Sequence, residues 1–203
     1  MRVALSAFKA LIDQTEISKG LFHYIDTQKV PIDASDLLRW EWVLAVSALD
    51  KYIHDVVRIG MVEEFTGART KTSKYYNFRI DMGKLANMNT TPSPAVEFEN
   101  EVIRQHSFLA FQHPDKLADA LSFIWTEQNK WDAISRKMST PISANDLRTK
   151  LNNIVIRRDQ IVHEGDCFTI ALPLQQQQIN EADVDDVLSF IKELVQAIHD
   201  CIV

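Results

Sequence analysis

Apolar residues recur every three to four positions near the start of the chain. Val3, Ala7, Phe8, Leu11, Ile12, Leu21, Phe22 and Ile25 share one face, which predicts a helix over residues 3–26. A break at 28–31 contains Pro31, and Asp33 or Ser35 can then cap a second helix running to Phe65 and ended by Gly67. This second helix is the longest and most apolar element, with Leu37, Leu38, Trp40, Trp42, Val43, Leu44, Val46, Leu49, Ile53, Val56 and Val57 spread around it. A helix apolar on most sides belongs at the centre of a bundle. One narrow stripe is polar: Ser47, Asp50, His54 and Arg58 fall within about 80° on the helical wheel. It reads either as a solvated face with an Asp50–His54 pair or as a face turned towards a functional site.

Periodicity then fails from Thr66 to Pro94, except for a possible short helix over 82–88. Such a stretch is long for a structureless loop in a compact domain. Pro94 opens a helix expected to stop near His113-Pro114; apolar runs over 115–127 and around Trp131, Ile134 and Met138 follow as further helices. Ser143 caps the next helix, with Asp146 three residues on, and Gly165 is a natural C-cap. A brief extended run is expected over 167–172, then a polar linker, Gln175 to Gln178. A last amphipathic helix carries Val184, Val187, Leu188, Ile191, Leu194, Val195, Ile198 and Ile202. The fold class is therefore all-α, an up-and-down helical bundle with a long second helix and an inserted loop with short helices. No solenoid repeat or boundary divides residues 1–203, so one domain is expected.

Composition narrows the function classes. With 46% hydrophobic and 25% charged residues and only five Gly and six Pro, the chain has the balance of a folded helical protein rather than a disordered one. No apolar run reaches the roughly 18 residues of a membrane span. Lys9 and Asp13 interrupt the signal-like first residues, so a cytoplasmic protein is expected, without a membrane partner. Two cysteines, Cys167 and Cys201, lack zinc or disulfide-framework spacing. His106 and His113 have no third ligand at metal spacing and read as surface or capping histidines, so no metal or other cofactor is expected. The net charge of −6 argues against broad coating of nucleic acid, though not against a local positive site.

Candidate chemistry concentrates in residues 147–166. Leu147, Leu151, Ile154, Val155, Ile161 and Val162 mark an apolar stripe, and Arg158 falls in its middle on an ideal wheel. A cation there needs a carboxylate, a second chain or a bound anion. His163 lies in the last turn, where terminal carbonyls favour a cation. A second cluster, Arg69, Lys71, Lys74 and Arg79 interleaved with Tyr75, Tyr76 and Phe78, offers cations for phosphates beside rings for base stacking.

Arg158-Asp159-Gln160-Ile161-Val162-His163 resembles the Arg-x4-His signature of HEPN domains, in which a polar residue commonly follows the arginine. The resemblance implies a helical bundle that dimerises so that two motif helices meet in a cleft. It also implies metal-independent endoribonuclease activity by 2′-hydroxyl transesterification, in a toxin or phage-defence setting, with an RNA substrate and an antitoxin or defence-system protein as possible partner. Arg158 would hold phosphate, His163 would move protons and Asp159 would orient one of them. Glu164, Asp50 and His54 stand second, Asp50 as the counter-charge to Arg158. In HEPN toxins paired with nucleotidyltransferase antitoxins a modified tyrosine lies two residues after the histidine; Gly165 stands there here. Arg158 and His163 are about 140° apart on an ideal helix, a difficulty that a homodimer would resolve. The alternative is a catalytically inactive HEPN-like module that dimerises or binds a partner protein or nucleotide.

Overall fold

The computed structural model describes residues 1–29, 31–167 and 175–203. Among them the chain forms α1 (Arg2–Thr27), α2 (Ser35–Phe65), α3 (Ser73–Tyr76), α4 (Met82–Thr90) and α5 (Pro94–His106). Then come α6 (Pro114–Leu121), α7 (Lys130–Ser135), α8 (Ala144–Glu164) and α9 (Glu181–Ile202). The described residues are all-α; the only extended pairing among them is one antiparallel bridge, Cys167 with Gln176. Apart from Cys167, the expected extended run 167–172 lies outside the described residues.

The central position of α2 follows from its apolar circumference. It packs against α1, α5, α6, α8 and α9. Phe8 and Ile12 of α1, Leu49, Ile53 and Val57 of α2, Phe98 and Val102 of α5, and Leu117 and Leu121 of α6 join one core with Leu151, Val155, Ile191, Leu194 and Ile198. Each such side chain contributes roughly 1.5–3 kcal/mol by leaving water. Trp40 is the departure, more than half exposed.

Between α2 and α5 the chain is more ordered than its lack of periodicity implies. Tyr75 and Phe78 set their rings 5.9 Å from that of Phe98, and Thr72 donates through its hydroxyl to the Phe123 carbonyl at 3.0 Å. Aromatic anchoring replaces helical repetition here, so single residues spaced irregularly suffice.

Three expected helices are shorter than their apolar runs. α5 stops at His106 because residues 107–113 fold back on α2, where the Phe111 amide donates to Asp50 Oδ1 at 2.5 Å. α6 stops at Leu121 because turn bonds Phe123 N to Ala120 O and Ile124 N to Leu121 O take over, letting Ile124 pack over Gly60. α7 ends at Ser135, and Met138 reaches the core from the turn beyond.

Candidate functional site

The geometry of the candidate site starts with the two ends of α8. Ser143 Oγ accepts from the Asp146 amide at 3.1 Å and donates to Asp146 Oδ2 at 2.7 Å, so the expected cap forms. At the other end Gly165 is left-handed, φ 65°, and the Asp166 amide returns to the Gln160 carbonyl. Only the first part of the predicted stripe is buried: Leu147, Leu151, Ile154 and Val155. Past Val155 burial is partial: Ile161 still packs against the core, while Val162 is half exposed. Arg158 therefore does not lie in the middle of a buried stripe; its side chain is 22% exposed.

Adjacent arginines on a helix point about 100° apart, and here they take different partners although both side chains are mostly buried. Arg157 meets Trp42 and Asp166. Its guanidinium stacks on the Trp42 ring at 5.0 Å, and Nη2 donates to Asp166 Oδ2 at 3.3 Å and to the Gln178 carbonyl at 2.8 Å. The same Asp166 oxygen accepts from Arg39 Nε at 2.9 Å, while Arg39 also bonds Ser35 Oγ, Asp36 and the Gln177 carbonyl. Asp166 is fully buried, so this network pins the end of α8 to the start of α2. Arg158 instead donates through Nη1 to Asp159 Oδ1 at 3.0 Å, while its Nε, like that of Arg157, is buried without a hydrogen-bond partner among the described residues.

Asp159 gathers the rest of the site. Besides Arg158, Oδ1 accepts from Gln112 Nε2 at 3.4 Å, and Oδ2 lies 3.5 Å from His113 Nε2. His163 is one helical turn beyond Asp159 on the same face, exposed like Glu164. Asp50 is not the counter-charge to Arg158. With His54, whose Nε2 meets the Leu109 carbonyl at 3.2 Å and whose ring lies 4.3 Å from Phe111, it holds the 107–113 segment that carries Gln112 and His113. The α2 stripe thus faces the site's supporting segment; Arg58 instead pairs with Glu99 and Asp55. Behind it, burial among Phe78, Phe111 and Phe123 pushes His106 down to about 4, so this imidazole is neutral at pH 7.

The expected nucleic-acid cluster divides. Arg69 binds Glu63 at 2.9 Å and the Ile202 carbonyl at 3.1 Å, closing the end of α9. Lys74 pairs with Asp119 over the Phe123 ring, and Tyr75 packs inward. Lys71 and Arg79 are exposed.

Sequence reading missed His113, Gln112, Asp166, Arg39 and Arg157. His113 carried only a hint, a histidine immediately before a helix-starting proline. Asp166 carried another, an acid straight after a C-capping glycine.

Among the described residues, no helix is long and apolar enough to cross a membrane, and no three His, Cys, Asp or Glu side chains cluster as metal ligands. No curated protein and no solved structure is significantly similar to the chain. The RiboL-PSP-HEPN family model matches residues 9–203, nearly the whole length. With that match over an all-α fold, and with the Arg-x4-His pair at the exposed end of α8, the chain belongs to the HEPN family.

Proposed function

We propose that the protein is a metal-independent endoribonuclease whose site is built on Arg158, Asp159 and His163, acting as a homodimer. The observation that carries this reading is the division of labour between the two arginines. Arg157 is consumed by Asp166, Gln178 and Trp42, whereas among the described residues Arg158 bonds its neighbour Asp159 alone. A guanidinium so placed can hold a phosphodiester bidentately and stabilise the charge of its transition state.

In the reaction, a base removes the proton of a ribose 2′-hydroxyl and the 2′-oxygen attacks phosphorus. The bond from phosphorus to the 5′-oxygen breaks and an acid protonates that oxygen. The products are a 2′,3′-cyclic phosphate and a 5′-hydroxyl. His163 serves as one proton-transfer group, because an imidazole exchanges protons near neutral pH. Glu164 stands beside it. Lys71 and Arg79 remain available to the flanking strand, whereas Arg69, Lys74 and Tyr75 act first through the fold. A toxin or phage-defence setting, with an antitoxin or defence-system partner, fits this activity.

The net charge of −6 favours the second reading, a HEPN module that binds a partner protein or nucleotide without cleaving RNA. One assay separates them: total RNA and bulk tRNA incubated with purified protein in EDTA, with sedimentation to establish the dimer. Cleavage leaving cyclic-phosphate ends, reduced at least about 10²-fold in both Arg158→Ala and His163→Ala, is the expected result. An inactive wild-type dimer, or activity retained in both variants, refutes the assignment.

A further inference from the structure

Transesterification needs two proton transfers, one from the 2′-hydroxyl and one to the 5′-oxygen, and each α8 offers a single histidine. We propose that His113 is the second proton-transfer group of this site; the inference rests on the ribonuclease reading above. His113 Nε2 sits 3.5 Å from Asp159 Oδ2, and the other oxygen of that carboxylate holds Arg158 at 3.0 Å. One carboxylate therefore joins a phosphate-binding cation to an imidazole. A carboxylate on one ring nitrogen orients an imidazole and stabilises its cation, while the opposite nitrogen, Nδ1, faces away from it and can meet substrate.

The position is prepared rather than incidental. His113 precedes Pro114 at the start of α6 and follows Phe111 and Gln112, both buried, and Asp50 fixes the Phe111 amide. The side chain itself is 40% exposed, so a strand can reach it. Beside it opens a polar pocket of about 540 Å³ lined by His113, Lys116, Asn145, Arg148, Thr149 and Asn152. Asn145, Thr149 and Asn152 recur at helical spacing with Asp159 and His163, so this pocket shares one face of α8 with those two motif residues, and Arg158 meets that face through its bond to Asp159. A strand laid along that face passes Lys116 and Arg148 and brings a phosphate to Asp159, where Arg158 and His113 meet the same carboxylate. The charged groups around His113 are Arg148 and Asp159 on α8, with Arg158 bonded to Asp159 and His163 one turn beyond it, Asp115 and Lys116 on α6, and Asp50 and His54 behind Leu109 and Phe111 on α2.

The test is kcat/KM against pH on a dinucleoside monophosphate for wild type, His113→Gln, His113→Asn and Arg158→Ala, with circular dichroism and sedimentation to show that each folds and assembles. Asn is a strong helix N-cap, so it preserves any capping role but cannot relay a proton. Expected is a loss of about 10²-fold or more in both His113 variants, with one limb of the bell-shaped profile gone. A 4-nitrophenyl phosphodiester, whose leaving group needs no proton, recovers most of that loss if His113 is the acid and none if it is the base. Activity within about threefold of wild type with both limbs retained, or rescue by His113→Asn, overturns the inference while leaving the ribonuclease reading standing. Inactive wild type, or full activity in Arg158→Ala, overturns both.

Discussion

At Asp166 a change of one atom tests what anchors the end of α8. Its carboxylate is completely buried, and it meets two guanidinium groups whose side chains are 7% and 19% exposed. Replacing it by Asn keeps the shape and tolerates its positive φ of 58°, but removes the negative charge. Breaking a buried pair from one side typically costs 3–5 kcal/mol, because the remaining charge is left uncompensated. Two features set the cost here at the low end. Arg39 keeps Ser35, Asp36 and the Gln177 carbonyl, and removing the charge also relieves burial of Asp166 Oδ1, which has no hydrogen-bond partner among the described residues. The result is about 3 kcal/mol. For a chain of this size that corresponds to a fall of about 6–12 °C in Tm, or about 1–3 M in the urea midpoint. The control is Asp36→Asn, which touches Arg39 from the exposed side and should cost under about 1 kcal/mol. Urea titrations followed by far-ultraviolet circular dichroism at fixed protein concentration measure both. If Asp166→Asn shifts the midpoint no further than Asp36→Asn, the network does not anchor α8.

Gly60→Ala should destabilise the protein even though alanine favours a helix by about 1 kcal/mol. A Cβ there would lie 2.5 Å from Ile124 Cγ2 and 2.9 Å from Ile124 Cβ, and relieving that overlap costs about 1–3 kcal/mol, so a rise in Tm would contradict it. His106 makes stability pH-dependent. Burial lowers it to about 4 in the folded chain, so between about 6.5 and 4 the unfolded chain binds the extra proton and stability falls with falling pH. Near pH 5 the loss reaches about 2 kcal/mol, and His106→Phe should flatten the difference between pH 7 and pH 5; an unchanged difference would refute the assignment.

The helices, their order and the motif were legible in the sequence because each depends on local periodicity. Apolar positions repeating every three to four residues predicted α1, α2 and α9, and Ser143, Asp146 and Gly165 marked the ends of α8 through bonds within a few residues. The same locality misjudged α5 and α6. Their apolar runs continue past His106 and Leu121, but Asp50 claims the Phe111 amide and Gly60 leaves room for Ile124, contacts made across more than sixty positions of chain.

The candidate site divides along the same line. Arg158, Asp159 and His163 form a contiguous string that a resemblance could pick out. That Arg157 rather than Arg158 is consumed by Asp166 and Trp42 could not be read from two adjacent arginines, whose wheel positions are equally helical. Nor could the approach of His113 to Asp159, or the role of Asp50 in holding that segment, because side chains distant along the chain meet only after the bundle closes. Sequence alone determined which residues could carry chemistry; the tertiary fold decided which were left free, because burial and hydrogen bonding commit a polar group to whichever partner the packing brings within about 3 Å.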